Sequence, residues 1–150
     1  MGFLLRLAHQ RATANLSQAI GGRGLTPSAF VTLARLDERG PLSQNELGRA
    51  VGMAPANIHA TVRRLRAAGL VHVQASPSDR RALLIDLSDA GRALLEEVLP
   101  DADAANRRTL AALGAGEQRT LIELLRRLAS VDAPERASGA ARPLSRPAPR

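Results

Sequence analysis

Two short stretches concentrate side chains able to recognise a polyanion. In PANIHATVRRLRAAG (55–69), Asn57, His59, Arg63 and Arg64 stand among alanines, and no acid occurs. In PSDRRALLIDLS (77–88), Arg80 and Arg81 follow Asp79 between two apolar, β-prone runs. A guanidinium presents a planar fork of donors to phosphate oxygens or to a guanine edge. Asn and His can donate or accept at a base edge, and alanine can pack on a thymine methyl. This is binding chemistry, in which no covalent bond need be made.

Other chemistries find less support. His9, His59 and His72 are isolated, with no second ligand three or four residues away, so no metal site is expected. Glu96, Glu97, Asp101 and Asp103 cluster in sequence but fall on polar helix faces, where a solvated surface accounts for them. No serine sits in a nucleophile motif, and GGRG follows a helix rather than a strand, unlike a phosphate-binding loop. The chain has no cysteine, which removes disulfides and thiolate chemistry together. Neither an enzyme nor a cofactor is expected.

The elements that must position the basic residues are legible in the hydrophobic pattern. Residues 3–20 carry apolar side chains at helical spacing, and GGRG stops that helix. Thr26 and Pro27 read as an N-cap and first-turn proline, opening a helix with Phe30, Leu33 and Leu36 on one stripe. Ser43 and Glu46 form an S-x-x-E capping box, Leu47 and Val51 face inward, and Gly52 makes a turn. Pro55 opens the next helix, with Gly69 at its C-terminal end. The period then becomes two: LVHVQA, a tight turn, and ALLIDL with Leu83, Ile85 and Leu87 on one face. Ser88 caps a helix expected to run to about Leu99, where Pro100 breaks or kinks it before helical pattern resumes over 103–113. A last amphipathic helix carries Leu121, Leu124, Leu125 and Leu128, and 131–150 reads as a disordered tail.

Every one of the 21 basic residues is arginine, and the net charge of +7 favours a polyanionic partner. The excess lies in the first ninety residues and the tail, because residues 92–130 carry six arginines against six acids. Phe3 and Phe30 are the only aromatics. Single strands are bound largely by aromatic stacking, so duplex DNA is the nucleic acid this composition suits. No run is apolar enough to span a bilayer, Arg6 interrupts GFLLRLA, and a cytoplasmic location is the expectation.

A capped helix, a glycine turn and a second helix have helix-turn-helix spacing, which any αα-hairpin would share. The second helix decides between them. Opposite its inward stripe of Ile58, Val62 and Leu65, the helical period puts Ala56, Ala60, Arg63 and Ala67, flanked by Asn57, His59 and Arg64. Small side chains there let the backbone approach a groove floor. The following hairpin would complete a winged helix, with Arg80 and Arg81 projecting from its tip toward a minor groove and Asp79 pairing with an arginine.

LTPSAF (25–30), LSQNELGRAVGM (42–53), RLRAAGLV (64–71) and SDRRALLIDLSDAGR (78–92) resemble the MarR family of bacterial transcriptional regulators. The resemblance spans roughly residues 3–130, and its most specific part is the D-x-R of Asp79 and Arg81 followed by an apolar strand and Ser-x-x-Gly-Arg. With that D-x-R, Arg81 is the one expected in the groove and Arg80 on phosphate. It implies a homodimer with interlocked first and last helices and a winged helix on each side of a two-fold axis. It also implies a pseudo-palindromic operator and a repressor released by a small, often aromatic or phenolic, ligand. Position 54 is alanine where the family often has a capping residue, a difference worth about 1 kcal/mol of helix-start stability.

The expected fold is therefore mainly α: a winged helix-turn-helix over 25–91, and helical dimerisation segments at 1–24 and 92–130. The expected DNA contacts are Ser43, Gln44, Pro55, Ala56, Asn57, His59, Ala60, Arg63, Arg64, Asp79, Arg80 and Arg81. Arg6 and His9 on the first helix are candidates for an anionic effector, with an ordinary helix surface as the alternative. A winged-helix DNA-binding or protein-interaction module with no ligand response is the second functional reading.

Overall fold

The computed structural model describes residues 1–76 and 83–129. Asp79, Arg80, Arg81 and the 131–150 tail lie outside the described residues. The chain divides after Ala111 into two units, and the first holds α1 (Gly2–Ile20), α2 (Pro27–Arg39), α3 (Gln44–Val51), α4 (Pro55–Ala67), β1 (Val71–Ala75), β2 (Leu83–Leu87) and α5 (Asp89–Leu110).

Local chemistry sets most boundaries. A 3₁₀ turn at Gly21–Arg23 ends α1, and Gly24 then takes the left-handed φ of 71° that a side chain would disfavour. Thr26 accepts from the Ala29 N–H at 3.2 Å to start α2. Gly52 at φ 67° turns the chain from α3 toward α4. Leu33 and Leu36 of α2, Leu47 of α3, and Ile58, Val62 and Leu65 of α4 meet Val71, Ile85 and Leu87 of the hairpin in one core. Thr32 and Thr61 are also buried, so the inward faces of α2 and α4 are wider than their aliphatic stripes.

The two strands pair antiparallel from Val71 opposite Leu87 to Ala75 opposite Leu83. Leu42, just before α3, exchanges backbone hydrogen bonds with Ile85 at 3.0 and 2.8 Å, docking the hairpin on the helix-turn-helix. On the shared face of β2, Ile85 and Leu87 are buried, while Leu83 is 62% exposed because it lies past the core that covers the base of the hairpin.

At Pro100 the break offered by the sequence is absent, because α5 runs through it without interruption. The proline is exposed while Leu95, Val98, Ala102 and Ala105 are buried on either side of it. Proline removes one ladder hydrogen bond and costs about 3 kcal/mol in a helix interior. Continuous burial across it outweighs that cost, and the freed carbonyl can turn to water. α1 packs along α5, with Asn15 donating to Thr109 Oγ1 at 2.9 Å. Arg23 pairs with Glu97, and Arg92 with Asp37 at 2.6 Å, so α5 is fastened to the turn after α1 and to α2.

The second unit contains α6 (Ala115–Leu128), whose Glu117 carboxylate accepts from the Gly114 N–H at 2.7 Å. Its leucines lie on one side, and Leu124, Leu125 and Leu128 are exposed.

Candidate nucleic-acid interface

The α3–turn–α4 unit is held at close range. A Cβ on Gly48 would lie 3.2 Å from Ile58 Cγ2, so a side chain at that position would push the two helices apart. Ser43 closes the capping box: its N–H and Oγ both donate to Glu46 Oε2, at 2.9 and 2.6 Å. The Ser43 hydroxyl, then its backbone N–H, and lastly the Arg49 charge hold the Glu46 carboxyl below the ordinary carboxylate range. Ala54 supplies no side-chain cap to α4, and Pro55 takes the first helical position, where its missing N–H costs nothing.

Along α4 the structure exposes Pro55, Ala56, Asn57, His59, Arg63 and Arg64 and half-buries Ala60. No described acid pairs with Arg63, Arg64 or Arg66. Arg64 Nε donates to Ala60 O at 3.4 Å, which lays that side chain back along its own helix.

The sequence-derived set separates into two flanks. Gln44, His59 and Arg63 come together in a pocket of about 300 Å³ between α4 and the hairpin, walled by Val62, Val73 and Ile85. Arg64 faces the other way, into a smaller recess of about 100 Å³ beside Leu25 and Ala29. Gln44 and Pro55 also border a groove of about 280 Å³ between α3 and the start of α4. The pocket includes one cation that sequence reading missed, Arg66. Its spacing held the clue, since it follows Arg63 by three residues and His59 by seven, which is one helix face.

Arg6 and His9 are exposed on α1, and the Arg6 guanidinium lies 5.3 Å from the Phe3 ring centroid. Among the described residues no cluster of His, Asp or Glu has the makings of a metal site, and no helix is long and apolar enough to cross a membrane.

Comparison with solved structures returns the same helix-turn-helix closed by a hairpin. A family model described as MarR family matches residues 23–82. The transcriptional repressor NicR of Pseudomonas putida is 39% identical over 132 residues, 88% of this chain and 84% of NicR. This chain belongs to the MarR family. Members of that family are transcriptional regulators rather than enzymes. A probable transcriptional regulator from Pseudomonas aeruginosa superposes with a TM-score of 0.80 at 48% identity, covering 85% of this chain and 96% of that one. BpsR of Bordetella bronchiseptica, whose DNA binding is regulated by 6-hydroxynicotinic acid, gives a TM-score of 0.81 at 35% identity, covering 88% and 94%. The winged helix-turn-helix of this MarR-family chain is thus shared with its solved relatives.

Proposed function

We propose that this protein is a cytoplasmic, homodimeric repressor that binds a pseudo-palindromic operator in duplex DNA and leaves it on binding a small aromatic acid. The observation that carries the DNA reading is the exposed face of α4. It is cationic and acid-free, its first turns carry small side chains, and the hairpin stands beside it. Such a helix fits the major groove, with Asn57, His59 and Arg63 toward base edges and Arg64 toward backbone. Ser43 and Gln44 open α3 beside the same groove, and Asp79, Arg80 and Arg81, read from the sequence, are the residues proposed for the flanking minor groove.

The dimer reading rests on apolar surface. Phe3, Leu4 and Leu7 on α1 are 62%, 68% and 42% exposed, and Leu124 and Leu128 on α6 are 51% and 61% exposed. A second copy covering these faces would space two recognition helices about 34 Å apart, one turn of DNA. The ligand response is supported by BpsR and its regulation by 6-hydroxynicotinic acid. Arg6 and His9 on α1 are the residues proposed for contact with such an anion.

Selection of duplex fragments from a random library by the purified protein tests this function directly. A two-fold-symmetric consensus is expected, with affinity falling steeply as salt rises. Titrating 6-hydroxynicotinic acid onto the complex is expected to release the DNA. No enriched site, or affinity indifferent to salt, sinks the DNA reading, and a complex indifferent to aromatic acids sinks the ligand response alone.

A further inference from the structure

His59 Nδ1 lies 3.4 Å from Gln44 Oε1, a long hydrogen bond that joins the exposed face of α4 to the first residue of α3. We propose that Gln44 and His59 read one base together, Gln44 fixing the imidazole so that His59 accepts a hydrogen bond from an adenine or cytosine amino group. The proposal rests on the DNA-binding reading above and adds the chemical class of base at one position.

In a neutral imidazole one ring nitrogen donates and the other accepts, and the partner of one sets the role of the other. An amide oxygen can only accept. Gln44 Oε1 therefore calls for the proton on Nδ1, leaving Nε2 as a bare acceptor. Among the described residues, the shared pocket presents Val73, Leu83 and Ile85 on its hairpin side, and Val62 with the cations Arg63 and Arg66 on α4. Those guanidinium groups are donors suited to phosphate and to guanine O6 and N7, so on this flank Nε2 stands as an acceptor beside donors. An acceptor is repelled by phosphate oxygens, by guanine O6 and N7 and by thymine O4. In the major groove it matches adenine N6–H₂ or cytosine N4–H₂.

Gln44 is well placed to hold this geometry. It follows Ser43, whose N–H and hydroxyl are tied to Glu46, so the backbone carrying the amide is fixed. In this account Gln44 is a positioning residue that acts through His59. Its loss would cost selectivity at one base rather than general affinity.

The test is duplex selection using full-length wild-type protein and Gln44→Leu, Gln44→Glu and His59→Ala variants. Wild type is expected to select one base pair at one position of each half-site, with its adenine N6 or cytosine N4 amino group toward His59. Enrichment there should fall about tenfold in His59→Ala and in Gln44→Leu, equivalent to about 1.4 kcal/mol. Gln44→Glu, still an acceptor for Nδ1–H, should keep it.

A second measurement leaves the protein intact. Where the position is adenine, replacing it with purine 2′-deoxyriboside removes only the amino group. Wild type should lose about tenfold in affinity and Gln44→Leu should lose almost nothing. Full wild-type affinity for a site whose selected pair has lost its amino group overturns the acceptor assignment. A profile changed by His59→Ala but not by Gln44→Leu overturns the positioning role. If wild type selects a consensus that no variant alters, the pair is wrong while DNA recognition stands. If wild type selects nothing, the DNA reading itself falls and the pair with it.

Discussion

Gly91 and Leu70 stand so close that a Cβ built on Gly91 would lie 2.0 Å from the Leu70 carbonyl oxygen. The contact joins the first turn of α5 to the end of the recognition-helix segment. Ser88 reinforces it: its hydroxyl donates to Gly69 O at 2.6 Å, its N–H donates to Leu70 O at 3.1 Å, and its Oγ accepts from the Gly91 N–H at 3.0 Å. The long helix and the end of α4 therefore share one close-packed joint, through which a tilt of α5 would be passed to α4. Gly91→Ala is expected to cost about 3 kcal/mol, the upper end of overpacking penalties, since backbone must move. An unchanged urea midpoint would show that the joint yields more easily than its geometry implies.

Acid should weaken the start of α3. The folded state holds the Glu46 carboxyl below its ordinary range, chiefly through the Ser43 hydroxyl. A carboxyl with a lowered folded value adds stability above its unfolded value, and this is lost as pH falls through the folded value. Urea denaturation of wild type and Glu46→Gln from neutral pH downward should show the wild-type advantage shrinking as the carboxyl protonates. An advantage that is constant with pH would remove the capping box from the account. Ser43→Ala should reduce the same advantage at neutral pH.

Pro100→Ala should stabilise the protein. Alanine restores the N–H for the ladder bond to Glu96 and gains about 3 kcal/mol of helix propensity. Against this, losing proline returns about 0.4–1 kcal/mol of entropy to the unfolded chain. A net gain of about 2 kcal/mol is expected, visible as a higher thermal midpoint. A lower midpoint would mean that the ring makes a contact worth more than the hydrogen bond.

Arg81→Ala is expected to weaken operator binding by about 1–3 kcal/mol, the range for loss of a base-groove arginine. Gel-shift titrations of wild type, Arg81→Ala and Arg80→Ala on the selected site would rank the two. Equal affinity for wild type and Arg81→Ala would leave the wing without its minor-groove finger.

The exposed leucines of α6 carry a prediction of assembly. Sedimentation should find a dimer at micromolar concentration, and Leu124→Glu with Leu128→Glu should shift it toward monomer. A wild-type monomer at that concentration would overturn the dimer.

Sequence alone determined the order of elements, because that order is written in short-range chemistry. Caps at Thr26, Ser43 and Ser88, glycines at 24, 52 and 69, and the change of period after Gly69 act within a few residues and need no tertiary partner. The same local signals placed the cationic, acid-free face of α4 opposite Ile58, Val62 and Leu65, and the structure buries those three.

Tertiary structure decided what depends on neighbours distant in the chain. Pro100 carries a strong local signal to stop, and only burial of Val98 and Ala102 on either side of it overrules that signal. Leu83 alternates correctly yet is exposed, because alternation gives a face and not the extent of the core beneath it. Gln44 and His59 were both legible as candidate contacts. Their meeting, and the separation of Arg63 from Arg64 onto opposite flanks of α4, follow from how α3 and the hairpin pack around that helix. Periodicity can assign a side chain to a face, but which neighbour it meets there is fixed by the crossing of whole elements, and no local pattern encodes that crossing.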